Sequence, residues 1–143
     1  LVVFSFHRAP VEAAGSRPGW ACISGAVSAS NRTEILAGFQ AGAYRGIALT
    51  IGAGSEGIDL TYARHSLMVD QDWRYGANEQ ARKRLHRFGQ TRKVLINQLI
   101  ADHPIDQIVR RLVNRKGAIG AASVEASAVG VRTTNSGTTA LEM

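Results

Sequence analysis

The sequence predicts an α/β domain with a mainly parallel sheet flanked by helices. Short apolar runs rich in β-branched residues recur along the first hundred residues. Each run is separated from the next by a helical pattern or by a glycine-rich turn. Alternation of this kind favours parallel strands whose connections cover both faces of the sheet. The predicted strands are residues 1–6, 20–23, 45–51, 66–69 and 94–100, the last of them a buried strand by its continuous hydrophobicity.

Helices are predicted between and after these strands. Residues 7–19 hold two prolines and two glycines, so they have room for one or two helical turns. Ser30 is the predicted N-cap of a helix that runs to about Gln40. Pro104 suits the first turn of a last helix. Its apolar face is expected to consist of Ile105, Ile108, Val109, Leu112 and Val113.

The charge of the chain is positive and concentrated in one region. The 143 residues have a formal net charge of +6. Between Arg74 and Lys116 there are eleven lysines and arginines against three acidic residues. A basic surface of this kind predicts a polyanionic partner such as nucleic acid.

Other features of the composition exclude several classes of protein. The single cysteine, Cys22, rules out an internal disulfide and fits a reducing, intracellular compartment. The four histidines lack the spacing of metal ligands, so no metal site is predicted. No signal peptide or membrane span is evident, so no membrane association is predicted. The chain begins at Leu1, inside a strand, and we therefore expect it to be part of a longer protein.

The segment 80–90 carries the main functional prediction. On a single helix spanning residues 77–88, Gln80, Arg84 and Arg87 share one narrow stripe. Two arginines aimed together beside a core suit a planar anion with several oxygens, such as phosphate. An ordinary amphipathic helix with surface arginines is the alternative interpretation. The neighbouring apolar stripe is Ala77, Ala81, Leu85 and Phe88, the solvent side is Glu79, Arg82, Lys83 and His86, and Gly89 is the predicted stop.

The same segment resembles the last signature motif of superfamily-2 helicases, in the form found in Swi/Snf-type DNA translocases. The motif reads Gln, three residues, Arg, one residue, His-Arg, one residue, Gly-Gln, and every position is present between Gln80 and Gln90. The resemblance implies the second RecA-like domain of such an enzyme. It also implies that Arg84 and Arg87 are arginine fingers for ATP with Mg²⁺, bound mainly by a missing first RecA-like domain, and that Gln80 lies near the nucleotide.

A glycine-rich turn after the third strand resembles motif V of the same family. It reads Gly-Ala-Gly-Ser-Glu-Gly-Ile-Asp-Leu-Thr and spans residues 52–61. The resemblance implies that Gly57 and Asp59 lie near the nucleotide, with Asp59 accepting a ribose hydroxyl. It places Thr61 towards the nucleic-acid backbone. Swi/Snf proteins usually carry asparagine at the position of Asp59, so an RNA helicase of the same superfamily is an alternative.

The end of the fourth strand, residues 70–73, reads Asp-Gln-Asp-Trp and is also similar to the Swi/Snf form. The resemblance implies that Trp73 contacts the nucleic-acid strand being tracked. Arg74 stands where the family usually has asparagine, and the basic excess of this region makes it a second candidate contact. A half-buried packing role is the alternative for Trp73. Asp70 and Asp72 are predicted to be structural rather than catalytic. Arg32 lies near the start of the helix that follows the second strand, where the family also has an arginine. A solvated helix residue is an equal interpretation for Arg32.

The predicted organisation is a helicase C-terminal domain over residues 1–116 and a low-complexity, disordered tail over residues 117–143. The chain contains no phosphate-binding loop of the form Gly-x-x-x-x-Gly-Lys-Ser/Thr and no Asp-Glu-x-His box. We therefore expect the second motor domain of an ATP-dependent DNA translocase or helicase, inactive by itself. Its expected partners are the first RecA-like domain and double-stranded DNA or other nucleic acid. The alternative from another class is a non-catalytic basic module that binds nucleic acid.

Overall fold

A computed structural model of the chain describes residues 1–53 and 57–135, with the side-chain environment described as far as residue 123. Within these residues, five strands form one sheet in the order β2-β3-β1-β4-β5, and every pairing is parallel. The predicted fold class is therefore confirmed. The strands are β1 Val2–Ser5, β2 Trp20–Ile23, β3 Gly46–Thr50, β4 His65–Met68 and β5 Leu95–Gln98. The helices are α1 Arg8–Gly15, α2 Ala29–Gln40, α3 Tyr75–Lys83 and α4 Pro104–Asn135.

The hydrophobic core lies on both faces of the central strands. All residues of β1 and β3 are buried. Because side chains alternate along a strand, Val2 and Phe4 enter a large cluster on one face. Val3 belongs to a smaller cluster on the other face, together with Val11 of α1. The sheet is thus covered on both faces near its centre.

The order of the strands defines a switch point between β1 and β4. The chain first builds β2 and β3 on one side of β1 and then crosses to build β4 and β5 on the other. Open parallel sheets bind ligands in the crevice at the carboxyl ends of the strands, at such a switch point. The loops that follow β1, β3 and β4 meet at this edge, which we call the carboxyl edge.

The prediction of a buried last strand is wrong. β5 pairs only with β4 and forms one edge of the sheet, so Leu95, Leu99 and Ile100 remain exposed. Continuous hydrophobicity could not distinguish an interior strand from an edge strand. The predicted apolar face of α4 is also largely uncovered: Val113 is buried, whereas Ile105, Ile108 and Leu112 are exposed.

The start of α2 differs from the prediction by two residues. Ser28, not Ser30, is the N-cap, because Ser28 has extended backbone angles and its side chain accepts a hydrogen bond from the Asn31 N–H at 3.3 Å. Ser30 lies inside the first turn. The two hydroxyl groups are 3.2 Å apart, so both serines belong to the same turn and the sequence pattern did not separate them.

Helix α4 continues beyond residue 116, where the predicted tail begins. Near this point it is held against the start of α3: the Lys116 Nζ donates to the Trp73 carbonyl at 3.2 Å. A Cβ added to Gly117 would lie 2.6 Å from the Tyr75 ring, so the glycine permits this close packing. The alanines that follow favour helix, which accounts for its continuation to Asn135. Residues 136–143 of the predicted tail lie outside the described residues, and the domain boundary at residue 116 stays a prediction.

Candidate functional site

The helix that carries the start of the signature motif, residues 80–90, is shorter than predicted. α3 ends at Lys83, and Arg84 is its C-cap, so the single helix predicted to reach Phe88 is wrong. The cause is a tertiary contact: the Arg84 carbonyl accepts a hydrogen bond from the Leu60 N–H at 3.2 Å, where a continuing helix would supply a later N–H. Leu85 still enters the core, but Phe88 is fully exposed. Gly89 does adopt the positive φ that was expected of it, in the turn that follows.

The motif residues nevertheless converge. Gly57, Gln80, Arg84 and Arg87 line one cleft of about 240 Å³, together with Ile58 and Lys83. Lys83 was expected on the solvent side, and its presence here corrects that expectation. Because α3 ends at Lys83, the chain turns back after it. Residues that a straight helix would space along its axis therefore surround one cavity. The site, which we call the motif cleft, carries three positive side chains beside a glycine.

The two arginines of the motif cleft have different environments. Arg84 is half-buried, and its Nη1 donates to the Ile58 carbonyl at 3.1 Å. Its Nε is buried and has no hydrogen-bond partner among the described residues. Burial lowers the pKa of the Arg84 guanidinium, and the positive charge of Arg87 lowers it further. Arg87 itself is exposed. Arg84 is therefore anchored to the protein, whereas Arg87 extends into solvent.

Three hydrogen bonds join the loop after β3 to the segment after α3. Besides the two bonds of Arg84, the Gln90 Nε2 donates to the Thr61 carbonyl at 2.7 Å. We call residues 58–61 and 84–90 the clasp. Sequence reasoning included Gln90 as a motif position but did not predict that it would bind the other loop. The clasp makes the two motifs one structural unit.

Asp59 lies at the exposed surface of the clasp. Its Oδ1 accepts a hydrogen bond from the Thr61 N–H at 3.0 Å. This bond is the main reason that the pKa of Asp59 is lowered, with further contributions from the Thr61 hydroxyl and from the positive charge of Arg87. The carboxylate is thus charged, fixed in direction and close enough to Arg87 to feel its charge.

The segment after β4 is organised by two buried polar residues. Asp72 accepts from the Arg74 side chain, with Nη2 and Oδ2 2.7 Å apart, and this bond is the main reason that the pKa of Asp72 is lowered. Asn78 bonds the backbone of Asp72 twice, at 2.8 Å and 2.9 Å. Asp70 accepts from the Ser5 hydroxyl at 2.8 Å and from the Phe6 N–H. The structural role predicted for Asp70 and Asp72 is therefore confirmed.

A second basic cleft opens at the carboxyl edge. Arg8, Arg32 and Arg74 come from three different elements and line a space of about 440 Å³, which we call the arginine cleft. Its remaining lining is Phe6, Gly25, Thr50, Gly52 and Ala53. Arg32 and Arg74 were singled out from the sequence, but Arg8 was not. The sequence could have indicated Arg8 by its position shortly after β1, because a side chain there reaches the carboxyl edge of the sheet.

The structure does not bring all the predicted site residues together. Gly57, Gln80, Arg84 and Arg87 share the motif cleft, while Arg74 belongs to the arginine cleft. Asp59 and Thr61 lie in the clasp and line neither cleft, and Trp73 is exposed next to Arg74. Within the described parts of the chain, no group of three His, Cys, Asp or Glu side chains could hold a metal ion. In the same parts, no helix has the length and apolarity needed to cross a bilayer. Gly54, Ser55 and Glu56 of the glycine-rich turn lie outside the described residues.

Comparison with known proteins gives one family match and a set of relatives. A family model for the helicase conserved C-terminal domain matches residues 11–89. The DNA repair protein RAD5 of Saccharomyces cerevisiae is 36% identical over 101 residues, which are 68% of this chain and 9% of that protein. The DNA annealing helicase and endonuclease ZRANB3 of Homo sapiens is 30% identical over 125 residues, 83% of this chain and 12% of that protein. The chain spans about a tenth of the length of these relatives.

A solved structure shows the same fold. The C-terminal part of the Fun30 ATPase domain superposes with a TM-score of 0.71 at 24% sequence identity, covering 78% of this chain and 38% of that one. The parallel sheet and its flanking helices are therefore an arrangement already seen in an experimental structure.

Proposed function

The chain belongs to the helicase conserved C-terminal domain family, in the Swi/Snf type of superfamily 2, and from this premise we propose that it is the second motor domain of an ATP-dependent DNA translocase. The observation that carries the proposal is the convergence of Gln80, Arg84 and Arg87 beside Gly57 in the motif cleft. A non-catalytic basic module would account for the arginine cleft, but it would give no reason for this second convergence.

The motif cleft fits a polyphosphate. Three positive side chains line it, and the N–H of the buried Arg84 Nε has no acceptor among the residues that the structure describes. ATP, bound with Mg²⁺ mainly on the first RecA-like domain, would supply the phosphoanhydride bond that is hydrolysed. Arg87, exposed and extended, would neutralise charge that develops on the γ-phosphate as the two domains close. Asp59 would accept a ribose hydroxyl, with its direction fixed by the Thr61 N–H.

The arginine cleft and Trp73 would contact nucleic acid. Arg74 is held by Asp72 and still lines the arginine cleft, so its guanidinium can approach a phosphate without losing its own support. Contacts to phosphate position a protein on nucleic acid without reading the sequence. Thr61, in the clasp, would contact the nucleic-acid backbone. The similarity to a DNA repair protein and a DNA annealing helicase favours DNA over RNA.

The ATPase reaction tests the proposal. The 143-residue chain alone is expected to show no ATP turnover, because no phosphate-binding loop is present in it. Joined to its first RecA-like domain, it is expected to show hydrolysis that nucleic acid stimulates. Release of phosphate would be measured with and without DNA. Turnover by the chain alone, above that of the same chain carrying Arg87→Ala, would contradict the proposal.

Salt dependence tests the nucleic-acid surface. The chain is expected to bind DNA without sequence preference, and its affinity should fall steeply as salt rises. Arg8→Gln should reduce the slope of log affinity against log salt by about 1, the effect of losing one phosphate contact. Lys93→Gln is the matched control, because Lys93 is exposed before β5, at the opposite edge of the sheet. Equal slopes for the two variants would count against the arginine cleft as the phosphate site.

A further inference from the structure

We propose that the carboxyl edge binds one unpaired nucleobase in an aromatic cleft beside the arginine cleft. This inference rests on the proposed function and adds the form in which nucleic acid is held. The aromatic cleft has a volume of about 140 Å³ and lies at the switch point between β1 and β4. Its aromatic lining consists of Phe6, His7 and Trp73, and Leu99 and Ile105 add apolar surface.

The aromatic side chains are unusually accessible. Phe6 is 41% exposed and Trp73 is 49% exposed. The Phe6 and His7 rings contact each other edge to face, with centroids 5.1 Å apart, so Phe6 is supported at its side while part of its surface stays open. Exposed aromatic surface within a cleft is a mark of a binding site rather than of packing. Every nucleobase has a flat π face that can stack on such surface without any requirement for sequence.

The two clefts are contiguous. Phe6 lines both of them, and Trp73 of the aromatic cleft directly precedes Arg74 of the arginine cleft. A nucleotide combines an anionic phosphate with a flat base a short distance away. The arginine cleft matches the charge of the phosphate, and the aromatic cleft on the other side of Phe6 matches the base. A free anion would occupy only the arginine cleft, and an apolar peptide would occupy only the aromatic cleft.

The cleft is also held in shape before any ligand arrives. The Phe6 N–H is fixed by Asp70, and the Trp73 carbonyl accepts from the Lys116 Nζ of α4. Asp72 and Asn78 fix the backbone on either side of Trp73. A prearranged site loses less conformational entropy on binding, so modest stacking can produce measurable affinity.

The size and polarity of the cleft agree with a base. Sites for drug-sized ligands usually measure roughly 300–1,000 Å³, so this cleft suits a smaller planar group. The side chains of Gln71 and Gln98 line it and can both donate to and accept from a base edge. Both oxygens of Asp70 already accept hydrogen bonds, and Asp106 accepts one from the Ala101 N–H, so the two carboxylates are oriented within the protein. Arg110 also lines the cleft and offsets one of these two negative charges.

The test compares an oligothymidylate with an abasic strand of the same length, both fluorescently labelled, by anisotropy at low salt. The abasic strand keeps the phosphates and removes the bases. The chain is expected to bind the oligothymidylate roughly tenfold more tightly, the effect of stacking one base. Phe6→Leu keeps apolar volume but removes the π face, so the ratio of the affinities for the two strands should fall from about tenfold to about 1. Phe88→Leu is the matched control and should keep the preference, because Phe88 is fully exposed and lines neither cleft.

The outcomes separate the two proposals. If the wild-type chain binds both strands equally and salt weakens both, the base site is refuted and the proposed function stands; a cleft made for a partner protein's side chain gives this result. If Phe6→Leu retains the preference, the base site is likewise refuted. If neither strand binds at low salt, the nucleic-acid function fails together with the base site.

Discussion

Arg87→Lys in the complete two-domain protein is expected to lower the rate of ATP turnover by roughly 10³-fold or more. Arg87 is the exposed arginine of the motif cleft, so its guanidinium is available to a phosphate on the facing domain. Lysine keeps the charge but loses the planar, multiply donating head that contacts several oxygens. The affinity for ATP should change less than turnover does, because the interaction is strongest with charge that develops in the transition state. Steady-state kinetics with a nucleic-acid activator would measure both.

The anchoring of Arg84 makes a second variant informative. Arg84→Lys should lower turnover by a comparable factor, and it should also reduce stability, because the bond to the Ile58 carbonyl is lost. Arg92→Lys is the matched control, since Arg92 is exposed and lines neither the motif cleft nor the arginine cleft. The turnover rate of Arg92→Lys should stay within about twofold of that of the unsubstituted protein. Substitutions at exposed residues usually change stability by about 0.5 kcal/mol or less. Near-normal turnover in Arg87→Lys, or equal losses in all three variants, would rule out the finger role.

Asn78→Ala is expected to lower the free energy of unfolding by about 2–6 kcal/mol. Asn78 has no exposed surface, and its amide bonds both the N–H and the carbonyl of Asp72, which is itself buried. Truncation leaves two buried backbone groups without partners, at roughly 1–3 kcal/mol each. Urea unfolding followed by circular dichroism would measure the change as a shift in midpoint at constant m-value.

Asn114→Ala is the control for this experiment. Asn114 lies on the exposed side of α4, and its replacement should change the free energy of unfolding by no more than about 0.5 kcal/mol. A loss of less than about 1 kcal/mol in Asn78→Ala would mean that water replaces the amide at Asp72. The segment that carries Trp73 and Arg74 would then owe its shape to the contacts between Asp72 and Arg74 and to the bond from Lys116 to the Trp73 carbonyl.

The features that the sequence predicted well are local. β1 and β3 are recognisable because each is a short run of apolar residues, and the positive φ of Gly89 follows from the residue type. The motif residues could be identified from the sequence, because the motif is defined by residue types at fixed spacing. The grouping of Gln80, Arg84 and Arg87 was therefore correct, even though the continuous helix proposed to produce it was not.

The features that the sequence did not predict depend on distant contacts. α3 ends where Leu60, 24 residues earlier in the chain, supplies an N–H to Arg84, and no local pattern contains that information. Exposure of β5 follows from its place at the edge of the sheet, which is a property of topology. Arg8 reaches the arginine cleft because β1 is central, so its role became visible only when the strand order was known.

The clasp has a thermodynamic consequence. The bonds that join residues 58–61 to residues 84–90 lie at Arg84 and Gln90, on either side of Arg87, so we expect a backbone displacement at Arg87 to be transmitted to Thr61. A coupling free energy between two such loops acts equally in both directions. The factor by which a ligand at Thr61 changes the affinity at Arg87 therefore equals the factor by which a ligand at Arg87 changes the affinity at Thr61. Linkages of this type commonly amount to about 5- to 150-fold, and Gln90→Ala would weaken both directions together.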